Sequence, residues 1–590
     1  MKSSDQSRQQ DRGNGDMKYF LDEPPSKPQP HPSPNYTQNM SFTSSISSMP
    51  PLSKTMASPR VVDVAEPHRS TQLSSDDAIL ASLGYKSELK RSFSYFAVFG
   101  QSFSSIGVVP AIASSLIFAL GAGGSAGFVW SYFVGTLFLI PTALTMGELG
   151  SAYPTSGGVY FWLAKLVPDR IRPLACWLNG YCNALGYICI FATTVYASAQ
   201  MVLAMASMGT PTYVPTKYHT YAVYIALTIL DCGLCSFASR TLARLQYLYV
   251  FLNLAVAAAV IIALPVACPS ELRNTASYVF TDFQNLSGWS NAGFAFLLSL
   301  LLPTWVLSGF ESSATLSEES GGAALSIPLS MISAIVTAGV VGWACIIAIA
   351  FTMGTDILSI IGSPLGQPFA QILLSALGTK GAITLMAFVW IVSVTNCAAL
   401  CTAASREIFA FSRDGAFPFS TYLHHLHKES RVPTRCVWTV CVVSLIIGLL
   451  SLANYTAISA IFNLAIVALY ASYITPFLAR IIWPENFTPG PWYMGQRLSL
   501  LSAYIGTAWM GFMFIILLFP SYHNPNAAEM NYAIVVFGFV IMFALGYFYF
   551  PKIGGKTFFK GPVRTVEEES IEGVAMEMGE TEGVMPIKKE

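Results

Sequence analysis

About twelve runs of apolar residues, each on the order of twenty long, recur between residues 93 and 550. They cover 93–119, 125–147, 173–203, 219–238, 246–268, 292–317, 330–353, 382–409, 436–452, 456–482, 498–519 and 531–550. Runs of this length read as membrane-spanning helices. The third and tenth are long for one crossing and predict tilt. A chain of 590 residues would otherwise imply several soluble domains, but 53% hydrophobic and only 11% charged residues exclude that. A formal net charge of zero leaves no electrostatic case for a nucleic-acid partner.

The flanks differ from the middle. The first ninety or so residues are rich in Ser, Pro, Gln and Asp and carry no apolar core, so a disordered tail without a cleavable signal peptide is expected. Asp76–Gly84 reads as a short amphipathic helix leading into the basic approach 85–92. The expected organisation is a cytosolic N-terminal tail (1–90), a transmembrane domain (91–552) and a cytosolic C-terminal tail (553–590). Basic residues set the orientation. With the N-terminus inside, the inner loops hold Lys165, Arg170, Arg172, Arg240, Arg244, Arg406, Arg413, Lys428, Arg431, Arg435, Arg480 and Arg497, and the outer loops only Lys217, Arg273 and Lys380. Both ends are therefore expected in the cytosol, with the plasma membrane rather than the vacuole as the location. Asn285-Leu-Ser287 is a glycosylation sequon on an outer loop; sequons at Asn35 and Asn39 fall on the cytosolic tail, where they stay silent.

Two runs are broken by polar and helix-breaking residues. In the sixth, Pro303, Ser308, Gly309 and the carboxylate of Glu311 arrive where a simple span would continue with Leu and Val. An ionisable residue at that depth marks function, and irregular backbone there has to face protein or a water-filled cavity. In the first, Ser102–Gly107 is small and polar, and Pro110 frees a carbonyl near Ile106. Spans one and six hold equivalent places if spans one to five and six to ten form two inverted repeats. Gly/Pro-interrupted spans in matching places point to a transport site at the midplane. The expected substrate contacts are Ser104, Ser105, Ile106, Gly107, Gly309, Phe310, Glu311 and Ser312. Half-helix N-termini there suit a carboxylate, and freed carbonyls suit an ammonium or a cation.

Four stretches carry a family resemblance: GYKSELKRSFS (Gly84–Ser94), GELGSAYPTSGGVYFW (Gly147–Trp162), SGFESSATLSEE (Ser308–Glu319) and SREIFAFSRDGAFPFS (Ser405–Ser420). Together they resemble the amino acid–polyamine–organocation transporters, and within them the fungal amino acid/choline/GABA permease group. The resemblance runs from about Gly84 to the twelfth span. It implies an all-α polytopic membrane protein with a five-plus-five inverted repeat, broken helices 1 and 6, and two further C-terminal helices. The chain departs from the group at Thr315, where members often have His, and at Glu311, where Asp is usual. Some bacterial relatives place a Lys near the site in the stretch that Gln246–Asn253 resembles; Asn253 carries no charge, so Glu311 or Glu148 is the expected proton-coupling group.

Asn179 and Asn183 lie four apart on one helical face, as helix–helix glue or at the site. Asn396, beside Ser393 and Thr395, is expected near the coupling ion, as the family's eighth span implies. Glu318 and Glu319 are expected at the inner mouth, paired with arginines as a gate. The loop 154–160 lacks the GK[ST] that a phosphate cradle needs. Cys232 and Cys235 read as small buried hydrophobes, and the His424–His427 cluster as a solvated loop. No catalytic, cofactor or metal set is expected, so the chain reads as a permease for an amino acid such as GABA, with choline, polyamine and a non-transporting nutrient sensor as alternatives.

Overall fold

The computed structural model describes residues 75–565, apart from 238, 454, 524 and 526–529. The expectations for residues 1–74, including Asn35 and Asn39, and for the acidic end after Thr565 lie outside the described residues. Among the described residues the structure is helical, with one isolated backbone bridge between Phe93 and Ser320.

The helices used below are α1 (Ser75–Ser82), α2 (Tyr95–Ile106), α3 (Val108–Ala152), α4 (Gly158–Leu166), α5 (Arg172–Gly209), α6 (Lys217–Cys235) and α7 (Ser239–Ala267). The second half begins with α8 (Ala292–Ser299), α9 (Leu301–Val306) and a 3₁₀ run, Phe310–Glu319. It continues with α10 (Ala323–Thr352), α11 (Pro368–Arg413), α12 (Thr434–Gly448), α13 (Tyr455–Ile482), α14 (Gln496–Ile516) and α15 (Ala533–Tyr549). Nine continuous stretches among the described residues are long and apolar enough to cross a membrane. One of them, Tyr95–Ala152, turns at Gly124 (φ 61°, ψ −151°) and so makes two crossings. The shorter or more polar α6 and α15 complete the twelve spans that the sequence predicts.

Neighbouring helices pack across the two halves of the chain. α10 lies along α3, and α11 and α13 lie along α5. The interior is formed by α2, α3, α5, the 3₁₀ run, α11 and α13, whose facing side chains are buried. α7 and α15 turn Phe251, Ile262, Val266, Val535, Phe539 and Met542 outward. An apolar exterior on this scale fits a hydrocarbon surround.

The packed structure starts earlier than the boundary at residue 90. Ser92 and Phe93 donate backbone N–H groups to Glu319 O (2.8 and 3.0 Å), and Gly321 N–H donates to Phe93 O (3.1 Å). Arg91 pairs with Asp77 (2.9 Å) and donates to Ser320 O (2.9 Å). The C-terminal segment closes on the same face. Thr565 N–H donates to Gly84 O (2.7 Å), Lys86 N–H donates to Thr565 Oγ1 (2.8 Å), and Val563 N–H donates to Asp414 Oδ1 (3.0 Å). Beneath this clasp Trp177, Tyr160, Phe411, Phe548 and Phe559 form a separate aromatic cluster. Both described ends therefore lie on one face, as an even number of crossings requires.

Candidate functional site

The break in the first span is one residue long. α2 stops at Ile106, Gly107 takes left-handed φ 55° and ψ 62°, and α3 resumes at Val108. A Cβ at Gly107 would stand 2.7 Å from the Asn396 side chain, so both the conformation and the space call for glycine. Pro110 contributes no N–H, as the sequence requires. The carbonyls released at the break are taken by α11: Asn396 Nδ2 donates to Ser104 O (2.8 Å) and Ser105 O (2.7 Å).

The sixth span breaks opposite. α9 ends at Val306, and Gly309 adopts φ 84°, where an added Cβ would stand 3.2 Å from Ser105 O. The chain then continues as a 3₁₀ helix rather than an α-helix. Ser312 Oγ donates to Ser105 Oγ (2.9 Å), tying the two breaks together. Below them Gln246 Nε2 donates to Gln101 Oε1 (2.8 Å), and Gln101 Nε2 donates to Ala399 O (2.8 Å).

A cavity lies against this junction. Ser105, Ile106, Pro110, Ala111 and Ser114 line it from the first span, and Trp305 and Ser308 from the sixth. Ile190, Thr194 and Ala197 of α5 and Ser393, Asn396 and Leu400 of α11 complete it. The space is about 10 Å³, the room of one water molecule. On the side away from the termini, the Trp305 and Phe462 rings pack at a 40° tilt with centroids 4.4 Å apart, and Trp305 Nε1 donates to Ser114 Oγ (3.3 Å). A second, open cavity of about 370 Å³ lies beyond, lined in part by Tyr196, Gln200, Lys217 and Thr220.

The predicted site residues separate into groups. Ser105, Ile106 and Asn396 line the cavity; Ser104, Gly107, Gly309, Phe310 and Ser312 build the junction behind it. Glu311, expected to meet the substrate, instead faces away. Its Oε1 accepts the hydroxyl protons of Tyr187 of α5 (3.0 Å) and Tyr473 of α13. Asn183 accepts from Ser472 Oγ (3.2 Å), and Asn179 donates to Ser472 O and Thr475 Oγ1, both at 2.6 Å, so this helical face joins α5 to α13. Asn253 is not at the cavity; its amide donates to Tyr249 O (2.9 Å) within its own helix. Glu148 lies away from the junction and accepts from Met494 N–H (3.0 Å). Asn285 folds its own loop, donating to Trp289 O (2.6 Å) and accepting from Ser287 Oγ (2.6 Å).

Toward the face that carries the termini, two buried ion pairs join the 3₁₀ run to α11. Glu318 receives both terminal nitrogens of Arg413 (3.0 and 3.1 Å) and the N–H of Ser156 (3.1 Å). Arg413 also lies 3.9 Å above the Tyr85 ring. Glu319 pairs with Arg406 (2.9 Å), with both side chains fully buried. These arginines sit within α11, not in a loop, because that helix runs on to Arg413. Sequence reasoning missed Trp305, Phe462, Tyr187, Tyr473 and Glu407. Tyr187 was within reach, since it lies one turn beyond Asn183 on the same face.

The family model described as amino acid permease matches residues 93–540. An uncharacterized amino-acid permease of Schizosaccharomyces pombe is 47% identical over 509 residues, covering 86% of this chain and 92% of that protein. Amino-acid permease 2 of Neurospora crassa is 37% identical over 494 residues, covering 83% and 89%. The GABA-specific permease of Saccharomyces cerevisiae is 34% identical over 500 residues, covering 84% and 87%. With its broken helices meeting at a small polar cavity, this chain belongs to the amino acid permease family of the APC superfamily, and is a multi-pass membrane transporter rather than an enzyme.

Proposed function

We propose that the chain is a secondary active permease that carries amino acids or related small amines such as GABA by alternating access, with a proton as the coupling ion. The observation that carries this reading is the junction of Gly107 and Gly309, where two interrupted helices meet beside one cavity. A zwitterion fits its chemistry. The start of α3 at Val108 offers helix N-terminal amides to a carboxylate. Ser105 O and the hydroxyls of Ser308 and Ser393 offer acceptors to an ammonium. No carboxylate lines the cavity, which disfavours a polyamine with several positive charges. The face of Trp305 supports choline as the second reading, through cation–π contact. The GABA-specific relative supports the substrate class.

In this reading Glu318–Arg413 and Glu319–Arg406 form the inner gate, and Trp305 with Phe462 forms a thinner outer lid. The excess of Lys and Arg on the face of the termini supports a cytosolic place for both ends, and the plasma membrane is the location we assign. The test is uptake by the purified protein in lipid vesicles. Labelled GABA, other amino acids, choline and polyamine are offered with and without a pH gradient. Accumulation of a zwitterion driven by an inward proton gradient is expected. Substrate binding without flux would make the protein a sensor and overturn the reading.

A further inference from the structure

We propose that Glu407 is the residue that carries the coupling proton. The inference rests on the permease reading above and adds the group that would perform the coupling. Glu407 lies on α11, one residue beyond Arg406, and is fully buried. Among the described residues no protein donor makes a hydrogen bond of normal geometry to either of its carboxylate oxygens. The contrast with its neighbours is plain. Glu318 and Glu319 have their arginines, and Glu311 has two tyrosine hydroxyls. Isolating an ionised carboxylate in this way costs several kcal/mol, and one proton removes that cost without needing space.

Its surroundings connect it to the junction. Asn183 of α5 faces Glu407 with its amide, and its carbonyl oxygen is occupied by Ser472. One turn along the same face, Tyr187 donates to Glu311 and also lies within the field of Glu407. Glu311 of the 3₁₀ run lies within electrostatic reach of Glu407, and its own Oε2 is unpartnered. Tyr473 of α13 is held on Glu311. On α11 itself Arg406 is committed to Glu319, and further along Arg413 is committed to Glu318. Asp231 of α6 lies by Cys397, about 15 Å away along α11. Two carboxylates within one low-dielectric region disfavour a double charge. Glu311 and Glu407 therefore share a site that differs by one proton between its two states, with Tyr187 within reach of both. Only an O–H bond forms or breaks: the proton joins Glu407 from one side of the membrane and leaves to the other.

Glu407 follows Arg406 in α11, so the proposed proton site and the Glu319 ion pair lie on the same stretch of one helix. The coupling group is therefore outside the substrate cavity. That explains how the cavity lacks a carboxylate in a carrier driven by protons.

The test compares wild type, Glu407→Gln and Glu407→Asp in vesicles. One measurement is substrate counterflow at equal pH on both sides. A second is accumulation driven by a pH gradient, with substrate-linked proton movement read by a dye. We expect Glu407→Gln to keep counterflow while gradient-driven accumulation falls at least tenfold and proton movement disappears. Glu407→Asp should restore part of both. Gradient-driven accumulation and proton movement at wild-type levels in Glu407→Gln would overturn the proposal. So would loss of counterflow that the Asp variant fails to restore, which marks a packing role. A third measurement needs no substrate. The infrared carbonyl band of a protonated carboxylic acid should be present in wild type and lose intensity in Glu407→Gln, and its persistence unchanged would overturn the assignment. If wild type moves no substrate, the permease reading fails by itself, and the infrared result still decides whether Glu407 holds a proton.

Discussion

Removing Arg413 tests whether its ion pair with Glu318 holds the face of the termini shut. Its guanidinium makes two hydrogen bonds to Glu318, at 3.0 and 3.1 Å, and both side chains are almost wholly buried. In Arg413→Ala the closed state keeps a buried carboxylate without its cation. Breaking such a pair costs about 3–5 kcal/mol. The Ser156 N–H remains on Glu318 and softens the loss, so about 3 kcal/mol is the working value. Opening the face hydrates Glu318, so the open state escapes this penalty and the equilibrium shifts by about a hundredfold. The assay uses a cavity residue as reporter. All eleven cysteines are buried, which keeps background labelling low. With Ser105→Cys added, a membrane-impermeant thiol reagent applied from the face of the termini should react about a hundredfold faster in Arg413→Ala. Adding Glu318→Ala should reverse part of the change by removing the orphaned charge. A folded Arg413→Ala protein that labels within twofold of its parent would refute the reasoning.

Further outcomes follow from the same geometry. Gly107→Ala combines a left-handed residue with a clash against Asn396; a cost of about 1–3 kcal/mol in stability is expected from the strain, read as a lower Tm and reduced uptake. Asn396→Ala leaves the carbonyls of Ser104 and Ser105 without their donor, for a loss of about 1–3 kcal/mol for an unsatisfied buried group, measured by thermal unfolding. Glu88, on the lead-in before the first span, accepts from His424 Nε2 at 3.1 Å, and this contact holds its carboxyl below the usual carboxylate range. Its folded-state value is depressed, so the stabilisation is present above the ordinary value of about 4.3 and is lost as pH falls through the depressed one. The Tm gap between wild type and Glu88→Gln should therefore narrow toward acid pH.

Much of the architecture was legible in the sequence because hydrocarbon is an unforgiving solvent. Apolar run lengths set the spans, and Gly107, Pro110 and Gly309 stand where the chain breaks. What the runs do not encode is rotation. The left-handed Gly309 (φ 84°) re-aims the chain just before the 3₁₀ run begins, and Glu311 meets Tyr187 and Tyr473 rather than the cavity. The continuation of α11 past residue 409 was hidden by its own charges. Arg406, Glu407 and Arg413 look like loop residues until Glu318 and Glu319 are seen to neutralise the two arginines. Glu407 then stands out only by the partners its neighbours have and it lacks, a contrast that exists in three dimensions alone.

The clasp between the two ends has a consequence for the order in which the molecule is made. Gly84 and Lys86 are made before any of the spans, while Val563 and Thr565 are made after all of them. Until those later residues arrive, Gly84 O and Asp414 lack backbone donors, and the aromatic cluster around Trp177 lacks Phe559. The segment after the last span therefore completes a seal that the segment before the first span began. A chain stopped before residue 555 would contain every predicted crossing yet lack the donors and the Phe559 ring that close this face.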